Sequence, residues 1–415
     1  MTGYCGSCQS FIRLLTYIFK NHKIITKMNN KENNNLTRRD FTKLAAAGAI
    51  GGVISASLPG SLWAQQQQDP NQPGGPYPKN FRKIHDKMIV IDGASPILGF
   101  HPMGTILVDP WDLYKKSADI VFSTVSSVSL EETLGYMSEA AKHMAKDSDT
   151  MLIKKVADIH EAKKTGKLGV IYQFQPPEPL YGSLEWAWFF KQAGLGICQV
   201  SYNTKGEFGY GSAEKVDNGL TPKGRDLIKV LDEAKIIVDV AHAGVKTALD
   251  TIDAGSTIVV CSHGNARAVI NSDRNFPDEV LKNVAQKGGL CGVAGWPPFI
   301  STNNRPSMDD MVRMIDYMVE LVGIDHVGIG MDYMQGQAGT VSNEDATALY
   351  KFLIDSGNWS PETYPPPPWY YPEGIELPNT LYNLTGALLA RGYKKEDIAK
   401  IWGGNWLRIM GQVWG

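Results

Sequence analysis

Residues 235–274 read KIIVDVAHAGVKTALDTIDAGSTIVVCSHGNARAVINSDR, and this stretch decides the fold. Two short runs in it, 236–240 and 257–260, are apolar and rich in β-branched residues. A histidine follows each within three residues, His242 and His263. Such runs predict buried strands with an imidazole at the C-terminal end of each. Between them, 245–254 carries apolar residues at helical spacing, so the unit is strand, helix, strand. A right-handed crossover then makes the strands parallel and brings both histidines to one edge of the sheet, where parallel α/β proteins keep their chemistry. The alternative is that each histidine only caps its strand through a backbone hydrogen bond.

Working outward, apolar strand-like runs recur at 88–92, 119–124, 168–174, 196–201, 289–294 and 326–331. With the first two runs that makes eight, alternating with helix-like segments such as 184–192, 223–234, 278–286 and 308–321. Eight such units over about 250 residues predict a (β/α)8 TIM barrel filled by branched side chains. A doubly wound open sheet is the second choice, but no glycine-rich phosphate turn follows the first run. Beyond the eighth strand come a helix-like 342–353, a Pro/aromatic segment at 363–374 that must be extended and packs over the barrel or covers a mouth of it, and helix-like 380–391 and 395–402 before a short Trp-rich tail.

The formal net charge of −2 over 415 residues gives no reason to expect nucleic acid as a partner. The chain divides into 1–64, 65–80 and 81–415. In the first part, Arg38 and Arg39 precede a weakly hydrophobic Ala/Gly-rich run and a cleavage-like Ala64, the pattern of a twin-arginine export signal. That implies the twin-arginine translocase as a transient partner and a periplasmic destination, with Met28 a more natural start than Met1. No cysteine follows the signal at a lipidation position. Residues 65–80 are rich in Gln, Pro and Gly and predict a disordered linker. Cys5 and Cys8 precede the signal; Cys198, Cys261 and Cys291 sit in apolar runs and read as buried small hydrophobes.

At the C-terminal ends of the predicted strands stand Gly93-Ala94-Ser95, Gln175, Tyr202-Asn203, His242, His263 and Asp332. In a barrel they converge on one mouth. Two neutral imidazoles and a carboxylate suit a borderline-soft divalent ion such as zinc. Arg274, shortly after His263, is placed to clamp a substrate carboxylate, unless it pairs with Asp273 or Asp278 instead.

At these residues the chain resembles the membrane dipeptidase (renal dipeptidase) family of zinc metallopeptidases. The likeness runs through GLTPKGRDLIKVLDEAKIIVDVAHAG, SHGNARAVINSDRNFPDEVLKNVAQKGGLCGV, DDMVRMIDYMVELVGIDHVGIGMDY and ARGYKKEDIAKIWGGNWLRIM, in the family's order, and covers roughly 83–410. It implies a barrel with two bridged zinc ions that hydrolyses dipeptides, often as a dimer and with tolerance for D-residues. Residue by residue, it makes His242 and His263 ligands of the second ion, Arg274 the holder of the substrate's C-terminal carboxylate and Asp332 the catalytic acid/base.

The resemblance breaks at the first ion. Where the family's first strand ends Asp-Gly-His-Asn-Asp, this chain reads Asp92-Gly93-Ala94-Ser95-Pro96, so both ligands are gone. Gln175 stands at the bridging glutamate and Tyr202 at the substrate-facing histidine. A neutral amide does not offset the repulsion of two cations, so one ion is expected, held by His242 and His263 with Gln175, Asp332 or water; His101 either replaces a ligand from a loop or is an exposed loop histidine. Three functions follow. The first is an exported hydrolase of dipeptides or related amides with a free carboxylate, in which Tyr202 polarises the carbonyl and Asn203 helps bind substrate. The second is a metal-free or single-metal enzyme acting on an amino-acid-derived metabolite. The third is a non-catalytic binder of a carboxylated ligand.

Overall fold

The computed structural model describes residues 77–98, 106–255 and 258–415. The export signal, the linker up to residue 76, Cys5, Cys8 and His101 lie outside them. The described residues form nine strands: β1 Ile91–Ser95, β2 Ile120–Thr124, β3 Thr150–Leu152, β4 Leu168–Phe174, β5 Leu195–Gln199, β6 Ile237–Asp239, β7 Val259–Val260, β8 Cys291–Val293 and β9 Val327–Ile329. One sheet runs β1-β2-β4-β5-β6-β7, with β3 paired to the start of β4, and β8 pairs with β9. All these pairings are parallel.

Backbone hydrogen bonds close the ring at both seams. Cys261 N donates to Leu290 O and Gly292 N to Cys261 O, joining β7 to β8. Asp332 N donates to Ala94 O and Ile97 N to Tyr333 O, joining β9 to β1. The ring therefore has the eight strands expected of a (β/α)8 barrel, and β3 is an additional short strand outside it. At three residues, with Met151 and Leu152 only half-buried, β3 shows no apolar run to read.

The first strand lies three residues later than its sequence pattern predicts. Gly93, Ala94 and Ser95 belong to β1, because Ser95 still pairs with Ser123 of β2 across a register shift. Gly93 is required there: a Cβ would meet the Trp406 ring and the Ile329 carbonyl within 3 Å.

Helices α1 Leu130–Lys146, α2 Val156–Thr165, α3 Trp186–Ala193, α4 Pro222–Glu233, α5 Val245–Asp253, α6 Asp278–Gln286 and α7 Met308–Val322 surround the strands. Alternation along each strand sorts its side chains. Val121, Val170, Cys198, Val238 and Val259 join the cluster that packs against helices, whereas Phe122, Ile171, Ile197, Ile237 and Val260 form a separate inner cluster. Above that inner layer, the next inward positions are polar: Gln173, Gln199, Asp239 and Ser262, all buried. The three expected cysteines are free and buried, as read.

After α8 Asn343–Asp355 and α9 Tyr382–Arg391, the chain ends in α10 Asn405–Trp414. The Trp-rich tail is thus a helix. Trp406, Ile409 and Met410 enter the inner cluster, and Asn405 Nδ2 donates to the carbonyls of Ile324 and Val327 beside β9. A π-helical turn, Lys400–Gly404, precedes α10 and interrupts the simple periodicity of 395–402.

Candidate active site

His242 and His263 follow β6 and β7, and the structure brings their rings together: Nε2 faces Nε2 at 2.9 Å. Both residues are buried. Neither imidazole caps its strand through the backbone. His242 Nδ1 lies 2.7 Å from Asn203 Oδ1, and His263 Nδ1 lies 2.8 Å from Ser262 Oγ.

The surrounding hydrogen bonds place a proton on Nδ1 of His242 and, with Asp239 ionised, on Nδ1 of His263. Asn203 Nδ2 donates to Asn358 O at 3.0 Å and Tyr364 Oη donates to Asn203 Oδ1 at 3.0 Å, so Oδ1 accepts and His242 Nδ1 carries the proton. Ser262 has one hydroxyl proton, directed at Asp239 Oδ2 at 2.5 Å, so its oxygen accepts from His263 Nδ1. Asp239 Oδ1 in turn accepts from the backbone N–H groups of Ala241 and Ser262. Both Nε2 atoms are consequently bare acceptors pointing at each other. That contact is repulsive unless a cation or a proton stands between them. Burial first, and then the nearby Arg274 charge, push both imidazoles well below their ordinary pKa, which disfavours the proton. Outer partners that fix the ring as an Nδ1 donor are what metal-ligating histidines have.

Asp332 follows β9 and keeps some solvent access. Its backbone is left-handed, φ 58°, a conformation that Asp tolerates better than most residues. Burial pushes its carboxyl up to about 7, with Arg274 and Gln175 opposing and Asp92 adding to the rise. Gln175, just beyond β4, is buried; its amide favours the charged Asp332, yet its Nε2 has no hydrogen-bonded partner. Asp92 is a structural neighbour. Its Oδ1 accepts from Met331 N at 2.8 Å and its Oδ2 from Tyr114 Oη at 2.6 Å, which ties the β9–β1 seam beneath the mouth.

Arg274 is buried and forms no ion pair with Asp273 or Asp278. Its Nε donates to Tyr364 Oη at 3.1 Å, its Nη1 to Ala241 O at 2.5 Å, and its guanidinium lies 5.4 Å from the Phe299 ring centre. Nη2 donates to nothing among the described residues, so the guanidinium is held but not neutralised. Tyr202 stacks on His242 at 4.2 Å between ring centres, and burial first raises its phenol pKa, keeping it a donor.

The Pro/aromatic segment covers this mouth. Trp359 stacks on Tyr364 at 4.2 Å, Trp296 packs on Trp359 and Trp369, and Tyr371 Oη donates to the Asp332 carbonyl. Sequence reasoning missed Tyr364, Asp239 and Ser262 as parts of the site. For the latter two the signal was present, in Asp239 three residues before His242 and Ser262 directly before His263; nothing in the sequence marked Tyr364.

The two histidines can give one ion two nitrogen ligands, fewer than the three protein ligands of a catalytic zinc site, and the described residues supply no ligand set for a second ion. His242 and His263 offer two converging lone pairs, but Ala94 is apolar, Ser95 Oγ is engaged with Tyr114 Oη and the Tyr333 carbonyl, and Gln175 is uncharged. No group of three His, Cys, Asp or Glu side chains that could hold a metal ion occurs among the described residues.

Paired imidazoles, a carboxylate and an arginine thus stand together at the C-terminal mouth of a (β/α)8 barrel, where that fold carries its active sites. The sequence model of the membrane dipeptidase family, peptidase family M19, matches residues 104–362 and 369–414, and the chain belongs to that family. The chain is 24% identical to the dipeptidase tcpJ of Claviceps purpurea over 313 residues, 73% of this chain and 65% of that one. Among solved structures, an amidohydrolase from Pseudomonas aeruginosa superposes with a TM-score of 0.70 at 29% identity, covering 81% of this chain and 99% of that one. A metallopeptidase from Rhodobacter sphaeroides, liganded with a phosphinate mimic of the dipeptide L-Ala-D-Ala, has the same fold: TM-score 0.63, 19% identity, 79% and 99% coverage. The protein is thus a dipeptidase-family hydrolase in fold and descent, and that family implies dependence on a metal.

Proposed function

We propose that this protein hydrolyses dipeptides or related amides bearing a free carboxylate, using one divalent ion, zinc, held by His242 and His263. The observation that carries this reading is the pair of bare Nε2 atoms 2.9 Å apart, each fixed by an outer hydrogen bond, at the same mouth as Arg274 and Asp332. The ion would polarise the scissile carbonyl and activate the attacking water.

The chain's own groups do the rest. Arg274 binds the substrate carboxylate through its free Nη2 edge. Asp332, with a pKa near 7, takes a proton from the water as it adds to the carbonyl carbon and gives it to the amine as the C–N bond breaks. Tyr202 donates its hydroxyl to the developing oxyanion, and Asn203 keeps His242 in place rather than touching substrate. Gln175, as a neutral amide next to Asp332, favours the charged form of that carboxyl and at most adds a weak oxygen ligand. We further propose export to the periplasm by the twin-arginine translocase, on the strength of Arg38 and Arg39, and a homodimer, on the strength of the family resemblance.

A panel of L,L- and L,D-dipeptides assayed before and after exhaustive chelation tests the reading. Turnover that is lost on chelation and restored by zinc is expected. Full turnover after chelation would favour a metal-free enzyme acting on an amino-acid-derived metabolite. Carboxylate binding with no turnover would favour a non-catalytic binder.

A further inference from the structure

Tyr364 lies in the stretch 363–368, which the family model leaves unmatched between 362 and 369. It is nonetheless buried at the centre of the site. Its ring is stacked on Trp359 and set edge-on to Phe299 at 5.7 Å, so the hydroxyl is its one polar function. That hydroxyl sits between two site residues. It accepts from Arg274 Nε at 3.1 Å, and because an arginine can only donate, the phenol proton goes to Asn203 Oδ1 at 3.0 Å.

Asn203 Oδ1 then receives two donors, Tyr364 Oη and His242 Nδ1, while its Nδ2 is anchored on Asn358 O. A continuous chain of hydrogen bonds joins the carboxylate clamp to the imidazole pair: Arg274 donates to Tyr364, and Tyr364 and His242 both donate to Asn203 Oδ1. We propose that Tyr364 is a positioning residue that couples the two halves of the site. It sets the plane of the Arg274 guanidinium and, through Asn203, holds His242 in the tautomer whose Nε2 faces the ion. This rests on the hydrolase reading above. It goes beyond it in assigning the coupling to a residue of this chain that the family pattern does not supply.

Tyr364→Phe removes only the hydroxyl and keeps the stacked ring. The wild-type and variant proteins, full chain, are compared by two constants: the dissociation constant for zinc alone, from competition with a chromophoric chelator, and KM against kcat for L-Ala-D-Ala with zinc saturating. Loss of outer-shell partners weakens metal binding by about 10–100-fold, and one bond removed a step further out places Tyr364→Phe near tenfold. KM is expected to rise by about tenfold, with kcat falling by less, since a misaimed arginine weakens ground-state binding as much as transition-state binding. Unchanged zinc affinity and unchanged KM would overturn the assignment, and a shift in only one of the two would overturn the coupling. A wild-type protein that takes up no zinc and cleaves no dipeptide would instead overturn the hydrolase reading, and this inference with it.

Discussion

Asp332 is the residue on which pH acts most directly. With no ion bound, burial holds its carboxyl near pH 7, and a bound cation would draw that value down. The ionised form is the proton acceptor, so kcat/KM should fall about tenfold per unit of pH on an acid limb whose midpoint lies at or below about 7. Asp332→Asn should lower turnover by about 10²–10⁴-fold while leaving zinc content unchanged, and Asn accepts the left-handed backbone. The same shift sets a stability effect in the metal-free protein. A carboxyl whose folded pKa is raised contributes stability that is complete below the ordinary carboxylate range and is lost as pH rises through about 7. Metal-free Asp332→Asn should therefore melt above the wild type at pH 8 and level with it near pH 4; the reverse order would contradict the buried-carboxyl account. At this scale the sequence was legible wherever a residue's type announced its chemistry, as for His242, His263, Asp332 and Arg274. It was silent on Tyr364, because one tyrosine among nine aromatics and prolines looks like packing until its hydroxyl is placed.

Among the elements, α10 and the Pro/aromatic segment seal opposite ends of the barrel. Trp406 of α10 lies 4.8 Å from Phe122 between ring centres and donates from Nε1 to Ile329 O, while Gly93 leaves space for its ring. Trp406→Ala should destabilise the fold by about 3–5 kcal/mol in urea unfolding, with a cavity opened beneath β1 and β9. A loss under about 1 kcal/mol would mean that α10 is dispensable to the barrel. Elements with a strong period were readable in advance: α6 spans residues 278–286 as expected, and α7 runs one residue past its predicted end. Failures have local causes. β1 was displaced because Gly93, Ala94 and Ser95 look like a turn, whereas here glycine provides room for an indole. α10 was read as a tail because two glycines, Gly403 and Gly404, precede it and the π-turn breaks the 3.6-residue period.

Over the whole molecule, the barrel is built in layers, with an apolar base sealed by α10, a buried polar layer of Gln173, Gln199, Asp239 and Ser262, and the site above it. The polar layer explains why the histidines are so rigidly aimed: Asp239 and Ser262 are part of the barrel wall, so His263 is oriented by the fold itself. The layering was invisible in composition, since only closure of the ring brings β4, β5, β6 and β7 side chains to one level. No helix among the described residues is long and apolar enough to cross a membrane. We expect that replacing Arg38 and Arg39 by lysines keeps the precursor in the cytoplasm of an exporting host, read by fractionation; continued export would contradict the proposed signal.

The central claim is a one-ion site built from two histidines. Elemental analysis of the chain from residue 65 onward, purified without chelator beside a His242→Ala, His263→Ala double variant, tests it most directly. About one zinc per chain, lost in the variant, is the predicted result. About two would contradict the account by requiring ligands at the end of β1 or in the loop that carries His101, and none in either protein would remove the metal from the mechanism altogether.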